Sequence, residues 1–352
     1  MLEPTVDPRR NASSQAEGHR RTTKLAFALV ALAALAVYWS SSFVLVARGG
    51  TQHFHVDAWL YAELSEPNVF DRILPDTQLA RIFRFHPVTV VLAAGWMKIV
   101  SPLTAWLTPA QLLKALFAAV GALGVWASLW AFAAVLPRRY ALLWGVIYAS
   151  SLGIWYFSSI EESKIVTAML SALYIATYLR MRDKWTLSGA VLLTAILFIA
   201  CLNEIVAAFL FAIPAVDLIV RERWEMLKRW WLAAHAMAPI FALALLEGVM
   251  RGWSSVAGTH PEGANHFSML IWYASQTQFT FDRVYYFLAS WLFFNIAAPE
   301  RYAHHWADPS IHFGGIFAPG LANYIASPLP AALVALFAVL LAVVIVLRKK
   351  NG

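Results

Sequence analysis

Residues 111–136 read QLLKALFAAVGALGVWASLWAFAAVL, with a single charge at Lys114. About 20 apolar residues in a helix cross the ~30 Å hydrocarbon core of a bilayer, so this stretch is long enough to span one. Working outward, windows of similar character occur at about 25–47, 141–158, 165–180, 187–203, 204–220, 230–247 and 329–347. The 352-residue chain is 60% hydrophobic and 13% charged, against ~45–50% and ~25% in soluble domains. One buried core cannot absorb that surplus, which excludes a soluble globular protein. The expected fold is all-α: a polytopic integral membrane protein with eight transmembrane helices. The one cysteine, Cys201, lies inside an apolar run and excludes an internal disulfide framework or a cysteine metal site.

Orientation follows from the basic residues. Seventeen of the 27 Lys and Arg fall in the N-terminus (Arg9, Arg10, Arg20, Arg21, Lys24) and four short clusters: Arg138-Arg139, Arg180 to Lys184, Arg221 to Arg229 and Arg348 to Lys350. Short basic loops stay cytoplasmic. All five share that side only if residues 86–107, which hold Lys98 between Pro87 and Pro102, form a reentrant or interfacial segment. Both termini are then cytoplasmic. The first apolar run exceeds the 7–15 residues of a signal-peptide core and reads as a retained anchor. The expected organisation is a disordered tail at 1–22, a transmembrane core at 23–247 with an outer loop at 48–110, an outer-face loop at 248–328, and a last helix with a basic tail at 329–352.

Polar chemistry collects on the outer side. Eight of the ten histidines fall there: 53, 55, 86, 260, 266, 304, 305 and 312. In the first loop, His53-Phe-His55-Val-Asp57 follows the anchor closely, where a carboxylate can meet a membrane-borne substrate; the alternative is a solvated loop acid. Residues 66–84 place Val69, Phe70, Ile73, Leu74, Leu79, Ile82 and Phe83 at helical spacing, as interfacial amphipathic helices do. The turn Ser158-Ser159-Ile-Glu161-Glu162-Ser163-Lys164 pairs two carboxylates with a lysine. It suits a divalent cation, Mg2+ or Mn2+ in preference to Zn2+, or equally a hydrated turn whose acids cap the next helix. Asn203-Glu204 forms another outer turn with the same two readings. His304, His305, Asp308 and His312 have zinc-ligand spacing that Pro309 interrupts. A transporter would set ionisable groups near the bilayer midplane, and only His235, Glu204 and Glu247 come close.

The chain has no Gly-rich phosphate loop, GxSxG or HExxH. Group transfer on the outer face, away from nucleotide pools, needs a donor activated on another carrier. A polyprenyl-phosphate-linked sugar meets that need, its phosphate within reach of Lys164, Arg251, Arg283 or Arg301. A lipid, glycan or protein would be the acceptor, membrane lipids the other partner; no nucleic acid is implied.

The order of these parts resembles the GT-C superfamily of membrane glycosyltransferases, in particular its protein O-mannosyltransferase and aminoarabinose transferase branch. The likeness covers about residues 20–220. It rests on the anchor helix, His55-Val-Asp57, the amphipathic segments, Phe85-His86-Pro87-Val88, Glu161-Glu162 and Asn203-Glu204. The resemblance implies that Asp57 is catalytic and that Glu161 or Glu162 holds metal or substrate, with His55, His86 and Glu204 around them. A single displacement is expected to invert the sugar's anomeric centre, at the outer face of a bacterial cytoplasmic (inner) membrane or at the lumenal face of a eukaryotic one. The chain departs from the family in having Ala58 after Asp57, Val88 after His-Pro, and Glu-Glu where a lone Asp is usual. Two other classes fit the sequence less closely: a metal-dependent lipid-phosphate hydrolase or phosphotransferase using the His304–His312 region, and a lipid flippase or transporter.

Overall fold

The computed structural model describes residues 23–42, 86–104, 106–159, 163–222 and 230–257, and among them every regular element is a helix. In chain order they are α1 (Thr23–Ser42), α2 (Pro87–Val100), α3 (Pro109–Val135), α4 (Arg138–Ser150), α5 (Leu152–Ser159), α6 (Lys164–Met181), α7 (Leu187–Asn203), α8 (Ala212–Glu222) and α9 (Trp230–Ala257). Short 3-10 turns occupy Ser101–Leu103 and Ile205–Phe211. Among the described residues three helices, α1, α3 and the Trp231–Val249 part of α9, are long and apolar enough to cross a membrane.

Local chemistry sets the boundaries. Thr108 and Gln111 close a capping box around Pro109 and start α3. Pro137 forces Leu136 into extended backbone (φ −126°, ψ 152°) and ends it. The apolar window at 141–158 is two helices, because Ser150 and Ser151 turn their hydroxyls onto the carbonyls of Val146 and Tyr148 and Ser151 is extended. The window at 204–220 is also divided, a 3-10 turn leading into α8. Pro214, the third residue of α8, has no N–H to return to Leu210, whose carbonyl accepts from the Ala212 N–H instead. The windows at 165–180 and 187–203 match α6 and α7, of 18 and 17 residues. The window at 329–347 lies outside the described residues.

Helix α3 is the axis. A Cβ on Gly121 would collide with the Ser158 side chain, and one on Gly124 would stand 3.3 Å from the Met169 Cα. Glycine at both places lets α5 and α6 lie close against α3, the way small residues admit neighbours between membrane helices. On one flank Leu112, Leu113 and Phe117 pack with Val90, Ile165, Tyr174 and Leu197. On the other, Ala118, Val125 and Leu129 pack with Phe27 and Tyr38 of α1. The outward faces stay apolar: Leu25 is 61% exposed, Val191 60% and Phe241 59%. Apolar faces of that extent are foreign to a monomer in water.

Helix α2 folds back along the N-terminal part of α3. The Trp96 indole donates to the Leu112 carbonyl at 2.9 Å, while the other end of α2 meets α7 at Asn203. Its 14 residues span about 21 Å, short of a bilayer core.

Candidate functional site

Asn203, the last residue of α7, is fully buried where α2, α6 and α7 meet. Its side-chain oxygen accepts from the Thr89 backbone N–H at 3.0 Å and the Thr89 hydroxyl at 2.8 Å. Its side-chain nitrogen donates to the Thr167 hydroxyl at 2.9 Å and the Ser163 carbonyl at 3.3 Å. Because a backbone N–H can only donate, Oδ1 must face Thr89, which fixes the amide orientation. All four of the amide's hydrogen-bonding positions are used, so burying it costs little.

Residue 203 also acts through its backbone. His86 Nδ1 lies 2.9 Å from the Asn203 carbonyl. A carbonyl only accepts, so Nδ1 carries the hydrogen and, in the neutral ring, Nε2 carries the lone pair. His86 is the N-cap of α2 but makes no side-chain cap to its own helix. Two helices thereby cap each other. Asn203 accepts from Thr89, at the third position of α2, one of the N–H groups a helix leaves without an internal partner; His86 donates to the last carbonyl of α7, one of its orphan acceptors.

Three residues named from sequence come together at this knot. His86 and the Asn203-Glu204 turn are in direct contact, and Lys164 follows Ser163, whose carbonyl Asn203 holds. Lys164 is exposed at the start of α6, its ammonium 5.6 Å from the centre of the Phe157 ring. Glu204 is half-buried in extended backbone (φ −151°, ψ 120°) between α7 and the 3-10 turn. His55, Asp57, Glu161, Glu162, Arg283, Arg301 and the His304–His312 region lie outside the described residues. Arg251 falls on the last turns of α9, far along the chain from the knot.

Sequence reasoning offered capping as one reading of the Asn203-Glu204 turn but not its partners Thr89 and Thr167, and gave Lys114 no role. Lys114 is buried in α3 and donates to the Ser42 carbonyl at the end of α1, 3.3 Å away. Trp155 donates to the Ser41 hydroxyl at 2.9 Å, and the Tyr38 hydroxyl to the Ala149 carbonyl at 2.7 Å. These bonds fix the point from which the chain leaves α1 towards His55 and Asp57. A lone lysine inside an apolar run was the available signal.

His86 Nε2 and the Glu204 carboxylate are donor types that a divalent cation accepts; Glu161 and Glu162 lie outside the described residues. Among the described residues no three His, Cys, Asp or Glu side chains group as a metal site.

The opposite end of α6 is different in kind. Arg221 Nη1 contacts Asp183 at 3.2 Å and Nη2 donates to the Arg182 carbonyl at 3.1 Å, while Tyr178 donates to Asp217. The Arg180 guanidinium stacks 4.1 Å from the Trp130 ring centre, near the end of α3. Two basic clusters, 180–184 and the one beginning at Arg221, therefore share one end of the bundle. The 18 residues of α6 hold that end about 27 Å from the Asn203 knot, close to one hydrocarbon thickness.

Between the ends, fully buried His235 of α9 bonds to both neighbours. The Thr194 hydroxyl spends its hydrogen on the Ala190 carbonyl at 2.8 Å, so it accepts from Nδ1–H at 3.0 Å, and Nε2 accepts from the Tyr174 hydroxyl at 2.6 Å.

No protein-family model, curated protein or solved structure matches this chain.

Proposed function

We propose that the chain is an integral membrane glycosyltransferase that moves a sugar from a polyprenyl-phosphate carrier to an acceptor at the outer face of a bacterial cytoplasmic membrane. One observation carries this reading. The Asn203 knot gathers His86, Lys164 and Glu204 at the end of the bundle opposite the basic clusters, about one hydrocarbon thickness away. The positive-inside rule gives the Arg182 end to the cytoplasm, so the knot falls on the outer face, where the carrier's phosphate lies. The hairpin of α2 on α3 supports residues 86–107 remaining on that face, with eight spans in the whole chain.

In this mechanism Asp57 takes the proton from the acceptor hydroxyl as its oxygen attacks the anomeric carbon, and the carrier phosphate leaves from the opposite side with inversion. Lys164, with Arg251, Arg283 or Arg301, stabilises the negative charge on the departing phosphate; Glu161 or Glu162 would hold a divalent cation, which would supply the same charge stabilisation. His86, locked with its lone pair on Nε2, and Glu204 orient donor or cation. His55 flanks the base.

Mass spectrometry of membrane lipids, glycans and glycoproteins from a deletion strain tests this directly. A glycosyltransferase leaves its polyprenyl-linked donor accumulated and a glycosylated product missing; loss of neither overturns the reading. In purified protein, Asp57→Asn keeps donor binding and lowers turnover by ~10²–10⁴-fold. Turnover within a few-fold of wild type would transfer the base role to Glu161 or Glu162.

A further inference from the structure

Three ties fix the register of α9 against its neighbours. At the Arg182 end, Trp231 stacks on Trp185 with ring centres 4.2 Å apart. Towards the knot, His235 is bonded to Tyr174 of α6 at 2.6 Å and to Thr194 of α7 at 3.0 Å. Further on, Ala238 and Ala242 share one core with Leu197, Ala200 and Ala207. Because His235 touches both other helices, heights can be counted from it. Helix α6 climbs about 15 Å from Tyr174 to Lys164, α7 about 14 Å from Thr194 to Asn203, and α9 about 18 Å from His235 to Glu247. A bend of ~25° at Pro239 would shorten the last figure by only about a tenth. Glu247 therefore stands in the layer of Lys164 and the Asn203-Glu204 turn, and not at the mid-bilayer depth that its place inside an apolar run suggests. Ala238, Ala242 and Leu246, spaced four apart, form a buried stripe along α9. Glu247 is one residue past that stripe and half-buried.

We propose that Glu247 is a specificity-determining residue of the transferase, its carboxylate accepting hydrogen bonds from hydroxyls of the donor sugar. The inference rests on the glycosyltransferase reading above. A carrier-linked sugar has its tail in the bilayer, its phosphate at the interface and its sugar just beyond. Lys164 meets the phosphate. A carboxylate in the same layer repels that anion, whereas the hydroxyls next to it are donors that a carboxylate holds through charge-assisted bonds. Arg251 follows Glu247 by four residues, the spacing of an ion pair along a helix. A Glu247 that served only that pair would be indifferent to the sugar, and this difference is what the test reads.

Binding of polyprenyl phosphate, polyprenyl-phosphate mannose and polyprenyl-phosphate glucose is measured with the full-length protein in lipid nanodiscs. At least one hexose-bearing lipid should bind wild type more tightly than bare polyprenyl phosphate. Glu247→Gln should weaken that lipid about 10–100-fold, the worth of a hydrogen bond to a charged acceptor, and leave bare polyprenyl phosphate within about twofold. Glu247→Asp, which keeps the charge, should recover part of the loss, and it carries the same comparison should Glu247→Gln unfold. Equal weakening of all three lipids, no weakening of any, or a wild type blind to the hexose overturns the assignment and leaves the transferase reading standing. A wild type that binds none of the three sinks the transferase reading and the assignment together. Placement is tested separately: Glu247→Cys should react with a membrane-impermeant maleimide added from the outer side, the one native cysteine, Cys201, being fully buried. Absence of that reaction overturns the placement in the outer layer.

Discussion

The Asn203 knot and the His235 contact are both buried, both tie three helices together, and are built on different principles. Asn203 works at helix ends, where backbone groups have no partner within their own helix, and its side chain and carbonyl serve two of those groups. His235 works in mid-helix, where the backbone is already satisfied, and engages side chains only. Removing a terminal cap leaves a buried backbone donor that cannot move away; removing a mid-helix contact leaves hydroxyls that can rotate to a nearby carbonyl. The knot should therefore matter more than the contact, although His235 is the more conspicuous residue in the sequence.

The largest effect is expected from Asn203→Leu, which strands the Thr89 N–H and hydroxyl. Thermal unfolding and monodisperse yield of the purified protein should show a loss of at least about 2 kcal/mol, with α2 detached from α7 and turnover lost. Stability close to wild type would remove Asn203 as the joint. His235→Phe should cost about 1 kcal/mol, and a double-mutant cycle with Tyr174→Phe should return a coupling near 0.6 kcal/mol, the average for side-chain bonds between membrane helices. A His235 penalty larger than that of Asn203 would reverse the comparison. At the exposed end, Arg221→Gln breaks the ion pair to Asp183, whose side chain is 74% exposed, and should cost at most about 1 kcal/mol, falling further in high salt.

The sequence carried the helical class and the apolar windows at 165–180 and 187–203 that α6 and α7 fill. Each of these depends on composition or on neighbours within a few residues. What it did not carry depends on distance along the chain. Capping by Asn203 was one of two readings of its turn, but the N–H it caps, that of Thr89, lies 114 positions earlier, and no local pattern announces such a partner. The window at 141–158 was equally opaque: its hydropathy is continuous, while the break at Ser151 comes from hydroxyls competing for backbone carbonyls, which averaged hydropathy does not register.

That break bears on how the protein is made. Helix α4, with 13 residues, reaches about 20 Å, and it opens with Arg138 and Arg139. Emerging alone from a translocation channel, such a segment partitions poorly into lipid, because insertion is decided by apolar content summed over a full span. It has help already in place: α3 precedes it by one turn, and Gly145 is bare where the Leu129 side chain presses against it. On the eight-span reading proposed above, the unit that enters the bilayer is the α3–α4 hairpin, and Gly145 acts first at biogenesis, before any site exists to be served.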